Sequence, residues 1–105
     1  MAYTTTRICM YRTTLDEGVD AALLVERVKA AGVRVMQHNE KVMAVDAYVD
    51  AGGLVTHMEF KHRDQWWIRR KAPHVAVAIL VQGGVDISRT KLVDIVKPRD
   101  VPPRP

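Results

Sequence analysis

The sequence is poor in several of the features that would settle a function class at once. Among 105 residues there is a single cysteine, Cys9. A lone thiol excludes an internal disulfide and any zinc site built from several cysteines. Its neighbours Ile8 and Met10 mark it as an ordinary strand thiol, and a reducing compartment is expected. The longest apolar run, Val75 to Val81, is seven residues long. That falls far short of the roughly 18 residues of a membrane span. Met1 to Thr6 lacks the basic-then-apolar layout of a secretion signal, so a cytoplasmic location is expected. There is no internal repeat. Prolines are scarce until the end, where four of the five fall in Lys97 to Pro105. Residues 98–105 are therefore expected to form a flexible tail behind one domain spanning 1–97.

The composition itself is that of a globular chain, with 48% hydrophobic and 27% charged residues. Wholesale disorder, collagen-like and coiled-coil readings are excluded. The net charge of +4 leans mildly towards nucleic acid. The basic residues cluster in His62 to Lys71 (HRDQWWIRRK) and again in Lys91 to Arg104.

Along the chain, Tyr3 to Arg12 reads as a strand or extended arm. Thr14-Leu15-Asp16-Glu17 fits a capping box, and Gly32 fits a helix C-cap, so a helix is expected over about 15–31. Val33 to His38 alternates like a strand. Val42 to Val49 and Leu54 to Lys61 read as strands joined by the turn signal Asp50-Ala51-Gly52-Gly53. A short helical or irregular piece follows around Asp64 to Lys71. Val75 to Val81 reads as a strand buried on both faces. Gly83-Gly84 turns the chain, and Leu92 to Val96 is a possible last strand. The class is α+β or mixed α/β.

The hairpin carries the chemistry. Side chains alternate across a strand, so Met43, Val45 and Ala47 share an apolar face with Met58 and Phe60. Asp46 shares the opposite face with His57, Glu59 and Lys61, standing directly across from His57 or Glu59 according to register. Two close carboxylates repel each other and are most easily accommodated by a cation; hard oxygen ligands suit Mg²⁺ or Mn²⁺. Such an ion polarises a phosphoryl oxygen, and a nearby lysine can act on the attacking water.

Asp46 followed by Glu59-Phe60-Lys61 on the next strand resembles the signature of the PD-(D/E)XK nuclease superfamily. The layout is similar to its small phage-type nucleases and to archaeal Holliday-junction resolvases. The proline of the signature is absent before the Asp; Val45 stands there, and many members likewise lack it. The resemblance implies a restriction-endonuclease-like α-β-β-β-α-β core with a central mixed sheet and a short second helix. It implies Mg²⁺- or Mn²⁺-dependent hydrolysis of DNA phosphodiester bonds. Asp46 and Glu59 would be metal ligands together with the Phe60 carbonyl, and Lys61 would act on the water. Glu17 or Asp20 from the first helix would complete the site, with Glu17 favoured by its helical face. Arg63, Arg69, Arg70, Lys71 and Trp66 would contact DNA. A domain this small suggests a homodimer, in the host cytoplasm if the chain is phage-encoded.

Two other readings stand beside it. One is a non-catalytic module of phage type that binds nucleic acid or protein on a similar small fold. The other is a ferredoxin-like or other small α+β interaction domain with no nucleic-acid role; the plain reading of the polar face is a solvated surface with a cross-strand Glu–Lys or Asp–His pair. Placement separates them: a nuclease-like core brings the acidic end of the first helix next to Asp46.

Overall fold

The hairpin is where sequence and structure meet most directly. The computed structural model describes residues 5–62 and 74–96, together with the side chains of all but Thr5, Thr6, His62 and Val96. Strand β2 (Val42–Asp50) turns through Ala51-Gly52 into β3 (Gly53–His62). The register sets Asp46 opposite His57 and Ala47 opposite Thr56. Gly52 N–H donates to the Asp50 carboxylate at 2.7 Å, which fixes the turn. The register slips between Val42 and Ala44, leaving Met43 as a bulge that is 43% exposed rather than on the core face.

Around this hairpin run β1 (Thr5–Thr13), α1 (Ala21–Met36), α2 (His74–Gln82), a 3-10 turn at Ile87–Arg89, and β4 (Thr90–Val96). The strand order is β2-β3-β1-β4. Every neighbouring pair is antiparallel. The described residues thus form a small α+β domain with a four-stranded antiparallel sheet and two helices. The expected mixed sheet is corrected. Each helix carries the chain back over one sheet face, so β1 and β2 point the same way with β3 seated between them.

Three expected elements change. The first helix starts at Ala21, because Asp20, not Thr14, is the N-cap, its carboxylate accepting from Leu23 N–H at 3.0 Å. It also runs on to Met36, absorbing the expected strand Val33–His38, with Val28, Ala31 and Gly32 buried. The expected strand Val75–Val81 is helix α2, buried at Ala76, Ile79 and Leu80, which is helical spacing. The expected helical piece at 64–71 and the tail at 98–105 lie outside the described residues.

The core lies between the helices and one sheet face. Cys9, Tyr11, Leu54, Met58 and Phe60 pack there against Val28, Ile79 and Leu80. The other sheet face carries no helix among the described residues. Replacing Asp20 by Ala is expected to cost about 1 kcal/mol in chemical denaturation. Thr14→Ala is expected to leave helicity unchanged, since Thr14 contributes a backbone bond to Arg89 O (3.1 Å) rather than a cap.

Candidate functional site

Alternation puts Ile8, Met10 and Arg12 of β1 and Val55, His57, Glu59 and Lys61 of β3 on the helix-free face. Ala44, Asp46 and Tyr48 of β2 join them. The registers align these into rows. Ala44, Glu59 and Ile8 form one; Asp46, His57, Met10 and Asp94 the next; Tyr48, Val55, Arg12 and Lys91 the third. Lys61 lies one row beyond Glu59, opposite Thr6.

A hollow of about 190 Å³ opens between the first two rows, lined by Ile8, Ala44, Asp46, Tyr48, His57 and Glu59, with Met58 beneath. Asp46 and Glu59 therefore do converge, as diagonal neighbours about 7–8 Å apart along the ladder. His57 sits beside them, its Nε2 3.3 Å from the Tyr48 hydroxyl, with the two rings 5.6 Å apart at their centroids. Glu59 has no partner among the described residues.

The fit of a divalent cation turns on Asp46. Its Oδ1 accepts from Ala47 N–H at 2.8 Å and lies 3.5 Å from Lys29 Nζ, which reaches round the sheet edge from α1. That oxygen is thus held on the Lys29 side of the strand. No three His, Cys, Asp or Glu side chains are grouped to hold a metal among the described residues. Among the described residues a cation here would have two carboxylates, Asp46 and Glu59, the first with its Oδ1 already engaged.

The helix acid expected to complete the site lies elsewhere. Asp20 is the α1 cap and lines a separate hollow of about 240 Å³ with Asp16, Asp86, Arg27 and Arg89. Arg89 forms an ion pair with Asp16 there. The Ser88 hydroxyl and N–H hold the Asp86 carboxyl below its usual range. Glu17 stands in the exposed turn before α1. The Phe60 side chain is buried at 1% exposure in the core. Arg63, Trp66, Arg69, Arg70 and Lys71 lie outside the described residues. Lys29 is the site residue that sequence reasoning missed: its charge suits the helix dipole, and nothing local reveals its reach to Asp46.

Beneath the sheet, Cys9 is fully buried. Burial pushes its thiol up to about 12, with the Tyr11 hydroxyl beside it pulling weakly the other way. Burial raises Tyr11 as well. Among the described residues, Tyr11 Oη and Thr56 Oγ1 are buried without a geometric hydrogen-bond partner. At pH 8 the native thiol is expected to resist a thiol reagent and to react once, fully, in denaturant. Because the unfolded thiol ionises first, near pH 8.5, this group's contribution to stability is complete below that pH. It declines as pH rises towards 12.

No family model and no curated protein matches the sequence. Among solved structures, the fold is similar to that of a dimeric protein of unknown function with a ferredoxin-like fold from Bacteroides fragilis. The TM-score is 0.54 at 11% identity, covering 88% of this chain and 95% of that one. At that identity the likeness concerns the fold alone, and the strand order β2-β3-β1-β4 agrees with it. No described helix is long and apolar enough to cross a membrane.

Proposed function

We propose that this chain is a non-catalytic binding domain whose helix-free sheet face is its working surface. The observation that supports this best is the state of Asp46. One oxygen of the carboxylate positioned to lead a cation site, Asp46 Oδ1, already accepts from the Ala47 N–H and lies 3.5 Å from Lys29 Nζ. An exposed ion pair of this kind contributes little to stability, so its effect is on where the carboxylate points. The face around it is mixed, with Ile8, Met10 and Ala44 set among charges of both signs. That suits a partner with a broad contact surface better than a small reacting group.

A second reading, metal-dependent cleavage of DNA by a PD-(D/E)XK-type site, is favoured by one observation. Asp46 and Glu59 line the same hollow, and Lys61 follows on the same face. It requires Asp46 to leave Lys29. Incubation with plasmid, junction and single-stranded DNA in Mg²⁺ or Mn²⁺ separates the two. The binding reading expects no product and no metal-induced rise in melting temperature, because there is no ligand linkage to raise it. Cleavage that disappears in Glu59→Ala would establish the enzyme instead.

A further inference from the structure

Among the described residues the sheet offers three surfaces to a partner: two edges and one face that carries no helix. The edges are closed in the same way. On β2 the Met43 bulge interrupts the strand, and Asp46 Oδ1 takes the Ala47 N–H at 2.8 Å. On β4 a register shift leaves Val93 unpaired, and Asp94 Oδ1 takes the Ile95 N–H at 2.8 Å. The two-residue turn makes Asp50–Gly53, Tyr48–Val55 and Asp46–His57 the bonded pairs, so Ala47 N–H points outward. Each edge therefore spends an aspartate on an amide that an added strand would need. Bulges and inward-curling charges are how edge strands avoid pairing.

The open face is different. Met10 and Ile8 lie on the inner strand β1 and are half-buried. Val55 is 1% exposed, with Arg12 and Tyr48 as its register partners. Four strands about 4.8 Å apart, each about nine residues long at roughly 3.3 Å, give a footprint of roughly 600 Å². A stable specific dimer buries about 600–1,000 Å² per partner. Charge varies along the rows: Glu59 lies in the first with Lys61 one row beyond it, Asp46 and Asp94 in the second, and Arg12 and Lys91 in the third. A two-fold axis across the strands exchanges the first and third rows, bringing the basic row of one copy over the Glu59 row of the other.

From this we infer that the partner of the open face is a second copy of this chain, docked sheet to sheet with its edges left free. The inference rests on the binding reading and names its partner. The Arg12 guanidinium spends one nitrogen on Asp50, at 2.7 Å, and keeps other donors for Glu59 of the second copy. The hollow at His57 and Glu59 is then roofed by the facing sheet.

Sedimentation equilibrium on the full chain tests this. The mass is expected at twice 11.8 kDa. Met10→Asp, at the centre of the face, is expected to raise the dimer dissociation constant at least tenfold, on the order of one hot-spot residue. Arg12→Glu and Glu59→Arg are each expected to weaken the dimer and to restore it when combined, a rescue that a fold defect would not show. Circular dichroism checks that each variant folds. A monomer at all concentrations overturns the inference and leaves the binding reading to its own assay. A dimer insensitive to all four variants overturns sheet-to-sheet docking.

Discussion

Phe60→Ala is expected to lower the unfolding free energy by about 3–5 kcal/mol, the cost of removing a buried aromatic ring and leaving its cavity. Phe60 is the only phenylalanine in the chain and is 1% exposed. It stands on the core face of β3, opposite Val42 on one side and Arg7 on the other. Few large side chains are available to collapse into the space it would leave; its core neighbours Met58, Ile79 and Leu80 are already buried. A domain of this size has about 5–15 kcal/mol in total, so the loss is a large share of it. The flanking positions should behave differently. Lys61 is exposed, and Glu59 has no partner among the described residues of its own chain. Glu59→Ala and Lys61→Ala are expected within about 0.5 kcal/mol of the parent. Urea denaturation of the three variants reads this directly. A Phe60→Ala loss below about 1 kcal/mol would mean that the ring is not packed as described.

The contrast within those three consecutive residues shows how much of the site was legible. Period-two alternation assigns each residue of the hairpin to a face, and a turn signal as strong as Asp-Ala-Gly-Gly limits the register to two choices. Asp46 opposite His57 is one of them. A slip by one residue would have put Met58 and Phe60 in water, which is why the pattern is decisive. Where the carboxylate of Asp46 points is another matter. That depends on Lys29, seventeen positions earlier and on a different element, and no local pattern encodes it.

The helices were less legible for a related reason. Val33, Val35 and Met36 satisfy both a strand alternation and the last turn of a helix. Gly32 before them resembles a stop. In the structure Gly32 is buried inside α1 because a Cβ there would lie 2.6 Å from Val45 Cβ on β2. The glycine is needed for close approach of helix to sheet, a tertiary requirement that mimics a capping signal. The uniform apolar run Val75 to Val81 has no period to read, and its identity as α2 follows from which side chains the core accepts. Once these two segments become helical, six expected strands reduce to four, and the antiparallel sheet follows from the connections.

The second large effect is expected at the turn that sequence did identify. Gly53 opens β3 with φ +120°, a conformation that costs an L-residue about 1–3 kcal/mol. Space is also lacking, since a Cβ there would stand 2.2 Å from the carbonyl oxygen of Thr13. That atom belongs to the backbone of β1, paired through Thr13 with Leu54 on β3 and Thr90 on β4. It cannot rotate away as a side chain would. The Thr13 hydroxyl is also engaged, 2.7 Å from that of Thr90. Relief must therefore come from displacing β1 at the centre of the sheet, a further 1–3 kcal/mol by the usual cost of overpacking. Gly53→Ala is accordingly expected to lose about 3 kcal/mol. Gly52→Ala, one residue earlier, would meet only the flexible Arg12 side chain, at 3.1 Å. It is expected to cost under about 1 kcal/mol. Thermal and urea denaturation of the pair distinguishes the two positions, and equal losses would show that the turn is not closed against β1 in the way the register requires.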